Sequence, residues 1–317
     1  MKEIKVKFLN GYRGDYKKLW VYQILKRHYD VKVCEEPDFL VDYGLGAEHY
    51  DYDCVKLKVI GENFVPDFNE YDYAIGFDPI VFEDRYLQMP LFPRYNEFKT
   101  LETMQHQSPE KLLNREFCSF VVSRGEKDPM RVEFFKRLSK YKPVASGGRF
   151  MNNVGGPVAD KLAFCAKHKF NITFENSTIP GYTTEKIMQA LAVESVPIYY
   201  GDPQIDRYFD PACMVRVSSK DDIERAVEEI IQLDKDDEAY LQKVMAPSSM
   251  HDFAWYEERM TTFLRHIFDQ DPKAARRTCA FGHQYKIRRH LGRMENLYLW
   301  TSPAKVFKRF RRKVGLA

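Results

Sequence analysis

The chain has 317 residues and only six cysteines: Cys34, Cys54, Cys118, Cys165, Cys213 and Cys279. They are dispersed and no two have Cys-x-x-Cys spacing, which argues against a disulfide framework or a thiolate zinc site and for reduced thiols in a cytosolic setting. The eight histidines include no His-Glu-x-x-His pair. Neither a G-x-x-x-x-G-K-[ST] loop nor a G-x-G-x-x-G turn occurs, so ATPase and dehydrogenase readings have no support. Asp51-Tyr52-Asp53 has a metal-holding spelling but lies in a tyrosine-rich acidic stretch before a strand, and reads as a chance match. No metal is therefore expected. No apolar run reaches membrane-spanning length, and the opening MKEIKVKFLNGYRGD reads as a charged strand rather than a signal peptide.

What is present belongs to a folded protein: 44% hydrophobic residues, with 20 Tyr and 23 Phe. The length suits two medium domains. The charge is divided unevenly. From Lys273 onward thirteen Lys and Arg face one acid, Glu295, which leaves the rest of the chain net acidic. In the last residues Val306, Phe307, Phe310 and Val314 share one helical face, and Lys308, Arg309, Arg311, Arg312 and Lys313 fill the remainder. This is the pattern of an interfacial helix drawn to anionic lipid at about 1 kcal/mol per basic residue. The bland alternatives are a solvated helix end or a nucleic-acid patch.

Alternating apolar residues predict strands at 5–9, 54–60, 73–77 and 117–122, and helices near 20–28 (apolar face Trp20, Ile24, Leu25), 159–167 and 221–233. Asp128-Pro129 starts another helix with Val132, Phe135 and Leu138 on its apolar side. Residues 96–116 are polar and non-periodic at their centre, which places an interdomain connection there. The expected division is 1–112, 113–272 and a basic tail, 273–317.

Residues 170–201 carry the most information. Phe170, Ile172 and Phe174 read as a half-buried strand that ends in Glu175-Asn176-Ser177. After a turn at Pro180-Gly181, Thr183 and Thr184 offer N-cap hydroxyls to a helix running to about 193, and a second strand covers 196–200. In such a βαβ unit the loop lies beyond a strand's carboxyl end, where open α/β sheets bind ligands. Lys186 in the first helical turn opposes the helix dipole, which makes sense where a phosphate docks between the ammonium and the free N–H groups.

FENS…GYTTEK…PIYYG resembles the donor signature of the bacterial GDP-fucose-dependent α-1,3/4-fucosyltransferases, glycosyltransferase family 10. IGEN (60–63), DYAIGFD (72–78), DRYLQMP (84–90) and KPVASGG (142–148) resemble the same family in the same order. The resemblance implies an α/β, GT-B-like fold: two Rossmann-like domains facing a cleft, the first on the acceptor side and the second binding GDP-fucose. It implies an inverting α-1,3-fucosyltransferase acting on the N-acetylglucosamine of N-acetyllactosamine-type glycans, with GDP-fucose as donor and no cofactor. By the same resemblance Arg131 and Lys186 meet the diphosphate, Tyr182 packs by the nucleoside, Glu185 and Asn176 bond the donor, Thr183 and Thr184 complete that loop, and Lys161 lies in another donor-contact loop. Glu62 resembles the catalytic glutamate, a role that suits a partly buried carboxylate. Where the family often has Ser-Asn, this chain has Ser123-Arg124, so Arg124 is either an added phosphate contact or a solvent-facing residue. The expected setting is cytoplasmic, peripheral on the inner face of the membrane through the tail, with no nucleic-acid partner. The rival readings are a GT-B enzyme using another nucleotide sugar, and a non-catalytic membrane-bound adaptor.

Overall fold

The structure, a computed structural model, describes residues 1–10, 15–123, 129–278 and 286–294. The described residues fall into two compact units: those within 1–76, 80–88 and from 259 onward form the first, and those within 77–79 and 89–258 the second.

The first unit holds β1 (Glu3–Leu9), β2 (Asp30–Val33), β3 (Phe39–Asp42), β4 (Val55–Val59), β5 (Tyr73–Gly76) and β6 (Tyr86–Gln88). They form one sheet in the order β2-β1-β3-β4-β5-β6, and every pairing is parallel. Every residue of β3 and β4 is buried, as expected of central strands in a parallel sheet covered on both faces. Helix α1 (Trp20–His28) turns Val21, Ile24 and Leu25 inward. Trp20, expected on that face, is only half-buried.

In the second unit are α2 (Asn96–Thr103), α3 (Pro109–Leu113), β7 (Glu116–Phe120), α4 (Pro129–Leu138), β8 (Val144–Ser146) and α5 (Lys161–Cys165). There follow β9 (His168–Phe174), α6 (Glu185–Ala192), β10 (Val196–Tyr200), β11 (Val215–Arg216), α7 (Ile223–Lys235) and α8 (Asp237–Val244). The sheet order is β11-β10-β9-β7-β8, again parallel throughout. Its core brings Phe120, Phe134, Phe170 and Phe174 together with Val227 and Ile230 of α7. Each such side chain contributes about 1.5–3 kcal/mol by leaving water. The half-buried alternation expected at 170–174 is corrected here: all seven residues of β9 are buried, because strands flank it on both sides and helices cover both faces.

Helix α9 (Phe253–Phe268) and the short α10 (Pro272–Ala275) follow. The units divide the chain at other places than 112 and 272, for identifiable reasons. Residues 96–116 form α2 and α3 instead of a linker, with Phe98 fully buried against Phe92 and Tyr256. The Glu194 carboxylate pairs with His106 Nδ1 at 2.9 Å and accepts from Gln107 N at 3.1 Å, so this segment is clasped to the second unit. After 258 the chain returns to the first unit. There Lys2 Nζ donates to the carbonyls of Phe268 and Asp269 at 2.9 and 3.0 Å, and Asp72 Oδ1 accepts from the backbone N–H of Arg277 and Thr278. The tail helix read at 305–317 lies outside the described residues. Among the described residues, no helix is long and apolar enough to cross a membrane.

Candidate functional site

The strand order of the second unit reverses between β7 and β9, the point at which doubly wound sheets open a crevice beyond their carboxyl ends. The loops leaving those strands begin at residues 121 and 175, and α4 and α6 start from them. Arg131 and the 175–186 segment converge at this reversal.

Arg131, in the first turn of α4, is 3% exposed and not the solvent-facing residue its position allows. Its Nη2 donates to Phe174 O at 2.8 Å and to Asn176 Oδ1 at 2.7 Å. The guanidinium thus joins α4 to the end of β9. With Oδ1 turned to Arg131, the Asn176 amide N–H groups point the other way, and Asn176 itself is exposed. Ser123, just beyond β7, is exposed as well, and Arg124 lies outside the described residues.

Glu175 organises the loop. It is 1% exposed, and its Oε1 accepts from Thr184 N at 2.8 Å and Thr184 Oγ1 at 2.9 Å. Its Oε2 accepts from Lys186 Nζ at 2.6 Å. A side chain on Gly201 would collide with it, since a Cβ there would lie 2.5 Å from Glu175 Cγ. Thr184 occupies the N-cap position of α6 but makes no side-chain cap bond. Thr183 Oγ1 donates to buried Asp202 at 2.9 Å. The expected hydroxyl caps are therefore corrected: both threonines are buried and hold the loop to acids on either side, which leaves the N–H groups at the start of α6 uncapped by them.

Gly181 lies at φ +84°, and a Cβ there would sit 2.0 Å from Phe77 O. Its lack of a side chain lets the loop pack onto the 77–79 segment. Tyr182, 5% exposed, packs edge-on to Phe77 with ring centroids 5.2 Å apart. The ring is thus part of the loop's packing, not a surface already open to a base.

Glu185 and Lys161 complete the cluster. Burial raises the Glu185 carboxyl, but Lys186, its own backbone N–H and Lys161 outweigh burial and hold it below the usual carboxylate range. Burial lowers Lys161, with Glu185 opposing the shift. Lys161 Nζ donates to Gln189 Oε1 at 2.8 Å, and Gln189 Nε2 donates to Glu97 at 3.0 Å. Tyr95, whose phenol burial pushes up to about 12 with Glu185 beside it, adds a further hydroxyl. Sequence reasoning missed Tyr95, Glu97, Gln189 and Asp202. The one readable signal was the Gly201-Asp202 pair directly after β10.

Glu62 belongs to the first unit, in a bend after β4, and is exposed; the partial burial expected of it is not found. Asp51 pairs with Arg293 at 3.0 Å and Asp53 with Arg276 at 2.9 Å, which gives both acids structural partners. Among the described residues no three His, Cys, Asp or Glu side chains are grouped to hold a metal ion.

Two parallel, doubly wound units with cations gathered at a helix start are the architecture of a GT-B glycosyltransferase. The profile of the alpha-(1,3)-fucosyltransferase FucT N-terminal domain matches residues 6–95, and that of the glycosyltransferase family 10 (fucosyltransferase) C-terminal region matches residues 113–285. The chain belongs to glycosyltransferase family 10. It is 31% identical over 266 residues to alpha-(1,3)-fucosyltransferase FucT of Helicobacter pylori, covering 72% of this chain and 55% of that protein. It is 28% identical over 192 residues to the 3-galactosyl-N-acetylglucosaminide 4-alpha-L-fucosyltransferase FUT3 of Homo sapiens, covering 54% of this chain and 51% of that one. The chain thus spans about half the length of these curated relatives. A crystal structure of an alpha1,3-fucosyltransferase with GDP-fucose superposes with a TM-score of 0.68 at 26% identity, covering 83% of this chain and 91% of that one.

Proposed function

We propose that this chain is an inverting α-1,3-fucosyltransferase that moves L-fucose from GDP-fucose to the N-acetylglucosamine of an N-acetyllactosamine-type glycan. The observation that carries the reading is the set of Arg131, Asn176, Glu185 and Lys186 assembled at the strand-order reversal of a family 10 donor unit. Names of relatives support the donor and the acceptor class: one solved structure contains GDP-fucose, and one curated relative acts on an N-acetylglucosaminide.

The chemistry follows from charge. As the bond between fucose C1 and the β-phosphate oxygen breaks, its electron pair leaves with GDP and adds negative charge there. Arg131, Lys186 and the N–H groups at the start of α6 are suited to stabilise that charge without reorganising. The acceptor hydroxyl attacks C1 from the opposite face, so a β-linked donor gives an α-fucoside through an oxocarbenium-like transition state. Glu62 takes the hydroxyl proton as the acceptor attacks.

Mass-resolved transfer from GDP-fucose to N-acetyllactosamine, with Glu62→Gln run in parallel, tests this reading. Product from the wild type and a loss of about 100-fold or more in the variant support both donor and base. Product from both removes Glu62 from the mechanism. No product together with no GDP-fucose binding overturns the donor assignment and favours another nucleotide sugar. Turnover after deletion of 301–317 excludes the adaptor reading.

The basic tail is the proposed membrane contact, which places the enzyme peripherally on the cytoplasmic face. Its support is the segregation of Phe307 and Phe310 from five adjacent cations. Co-sedimentation with vesicles rich in anionic lipid, compared with neutral vesicles, tests it; equal binding of the 1–317 and 1–300 chains would refute it.

A further inference from the structure

A buried ionic network lies at the carboxyl edge of the first unit's sheet. Lys58 of β4 is 4% exposed, and Asp42, the last residue of β3, is 1% exposed. Lys58 Nζ donates to Asp42 Oδ2 at 2.8 Å, to Tyr71 Oη at 3.3 Å and to the Gly44 carbonyl. Tyr71 donates its own proton to Asp42 Oδ2 at 2.5 Å, and Asp42 Oδ1 accepts from Gly44 N at 2.8 Å. His49 stacks on Tyr71 with centroids 4.7 Å apart, and its Nε2 pairs with Glu70 at 3.1 Å. The same ammonium lies 5.7 Å from the centre of the Phe64 ring, and Phe64 N donates to Glu62 O at 2.9 Å.

Stability alone does not account for this arrangement. Replacing a buried ion pair by apolar side chains of similar size is often neutral or stabilising, so a buried lysine near the end of a central strand needs another reason. Its three donors supply one. A single ammonium is bonded to the end of β3, to the turn at Gly44 and to Tyr71, and its charge faces the ring that follows the Glu62 bend. Loops at the carboxyl ends of such strands are the ones that carry ligands.

We propose that Lys58, held by Asp42 and Tyr71, is a positioning residue for Glu62 and for the acceptor-side rim at 43–46 and 60–66. The proposal rests on the assignment of Glu62 as base. Lys58 touches no reacting atom in this scheme; it fixes the turn that presents the carboxylate. A displacement of about 1 Å at a reacting group costs on the order of 100-fold in rate.

The test compares wild type, Lys58→Met and the double variant Lys58→Met/Asp42→Asn, which leaves no uncompensated buried charge if the single variant fails to fold. Hydrogen exchange is followed at 43–46 and 60–66, alongside GDP-fucose Kd and kcat per GDP-fucose-binding molecule. The expected result is faster exchange at both segments, unchanged donor Kd and kcat lowered about 100-fold. A merely structural lysine would lower the fraction of binding-competent protein and leave kcat per competent molecule unchanged. Unchanged exchange overturns the tie, and kcat within about threefold of wild type overturns the positioning role. A wild type that binds GDP-fucose but forms no product counts against the fucosyltransferase reading and, with it, against a role in positioning a base, whereas the exchange rates decide the tie separately.

Discussion

Glu175 and Lys186 are paired at 2.6 Å, the carboxylate wholly buried and the ammonium at the partly open start of α6. The lysine read as a phosphate ligand is therefore already aimed by an acid beneath it. Removing that charge frees the lysine and weakens the bonds Thr184 makes to the carboxylate. Glu175→Gln is expected to cost about 2–4 kcal/mol in urea unfolding, because one member of a buried pair is lost. It is also expected to weaken GDP-fucose binding about tenfold by calorimetry. A variant with wild-type stability would show that the pair does not hold the loop.

Arg131 joins α4 to Phe174 and Asn176 through one planar group. Lysine keeps the charge but not the planar set of N–H donors or the reach of the guanidinium, so Arg131→Lys is not conservative here. We expect kcat/KM for GDP-fucose to fall about 10- to 100-fold in steady-state assays, with Asn176 released from its orientation.

Gly181→Ala meets two obstacles, a positive φ and a Cβ position 2.0 Å from the Phe77 carbonyl oxygen. The backbone strain alone costs about 1–2 kcal/mol, and the collision requires the loop to move. A fall in Tm of several degrees and loss of GDP-fucose binding are expected. A fully stable, binding-competent variant would contradict the close packing of this loop on residues 77–79.

Glu185 predicts an acid dependence. Its folded carboxyl lies below the ordinary value of 4.5, since Lys186, its backbone N–H and Lys161 outweigh burial. The unfolded state then binds the proton more readily, so this contribution to stability is fully present above 4.5 and is lost as pH falls through the lower folded value. Urea unfolding between about pH 2 and 6 should show a steeper acid loss for wild type than for Glu185→Gln. Identical slopes would show that Glu185 is not held ionised by its neighbours.

Local pattern and tertiary structure contributed differently. The strand, helix and strand of 170–200 were legible because apolar runs bounded by Pro180-Gly181 and Gly201 leave few alternatives. The helix read at 221–233 was legible as well, and Ile223, Ala226, Val227 and Ile230 of α7 are all buried. The donor-side residues were named through a resemblance carried by short motifs, not through periodicity. What local pattern could not supply was who bonds to whom. Thr183 and Thr184 have the residue type of caps, yet their hydroxyls meet Asp202 and Glu175, acids brought to them only when β9 and β10 pair. Residues 96–116 read as a connection because they are polar and non-periodic at their centre; Glu194, some ninety residues away, clasps His106 and Gln107. Lys58 falls within the strand read at 54–60, and pattern alone did not show that it is buried; strands lie on both sides of β4. Sequence by itself determined the local elements and the chemical groups near the donor loop, since these depend on neighbours along the chain. Only the tertiary structure decided burial, pairing and pKa, because those depend on groups distant in sequence that excluded water and sheet pairing bring together.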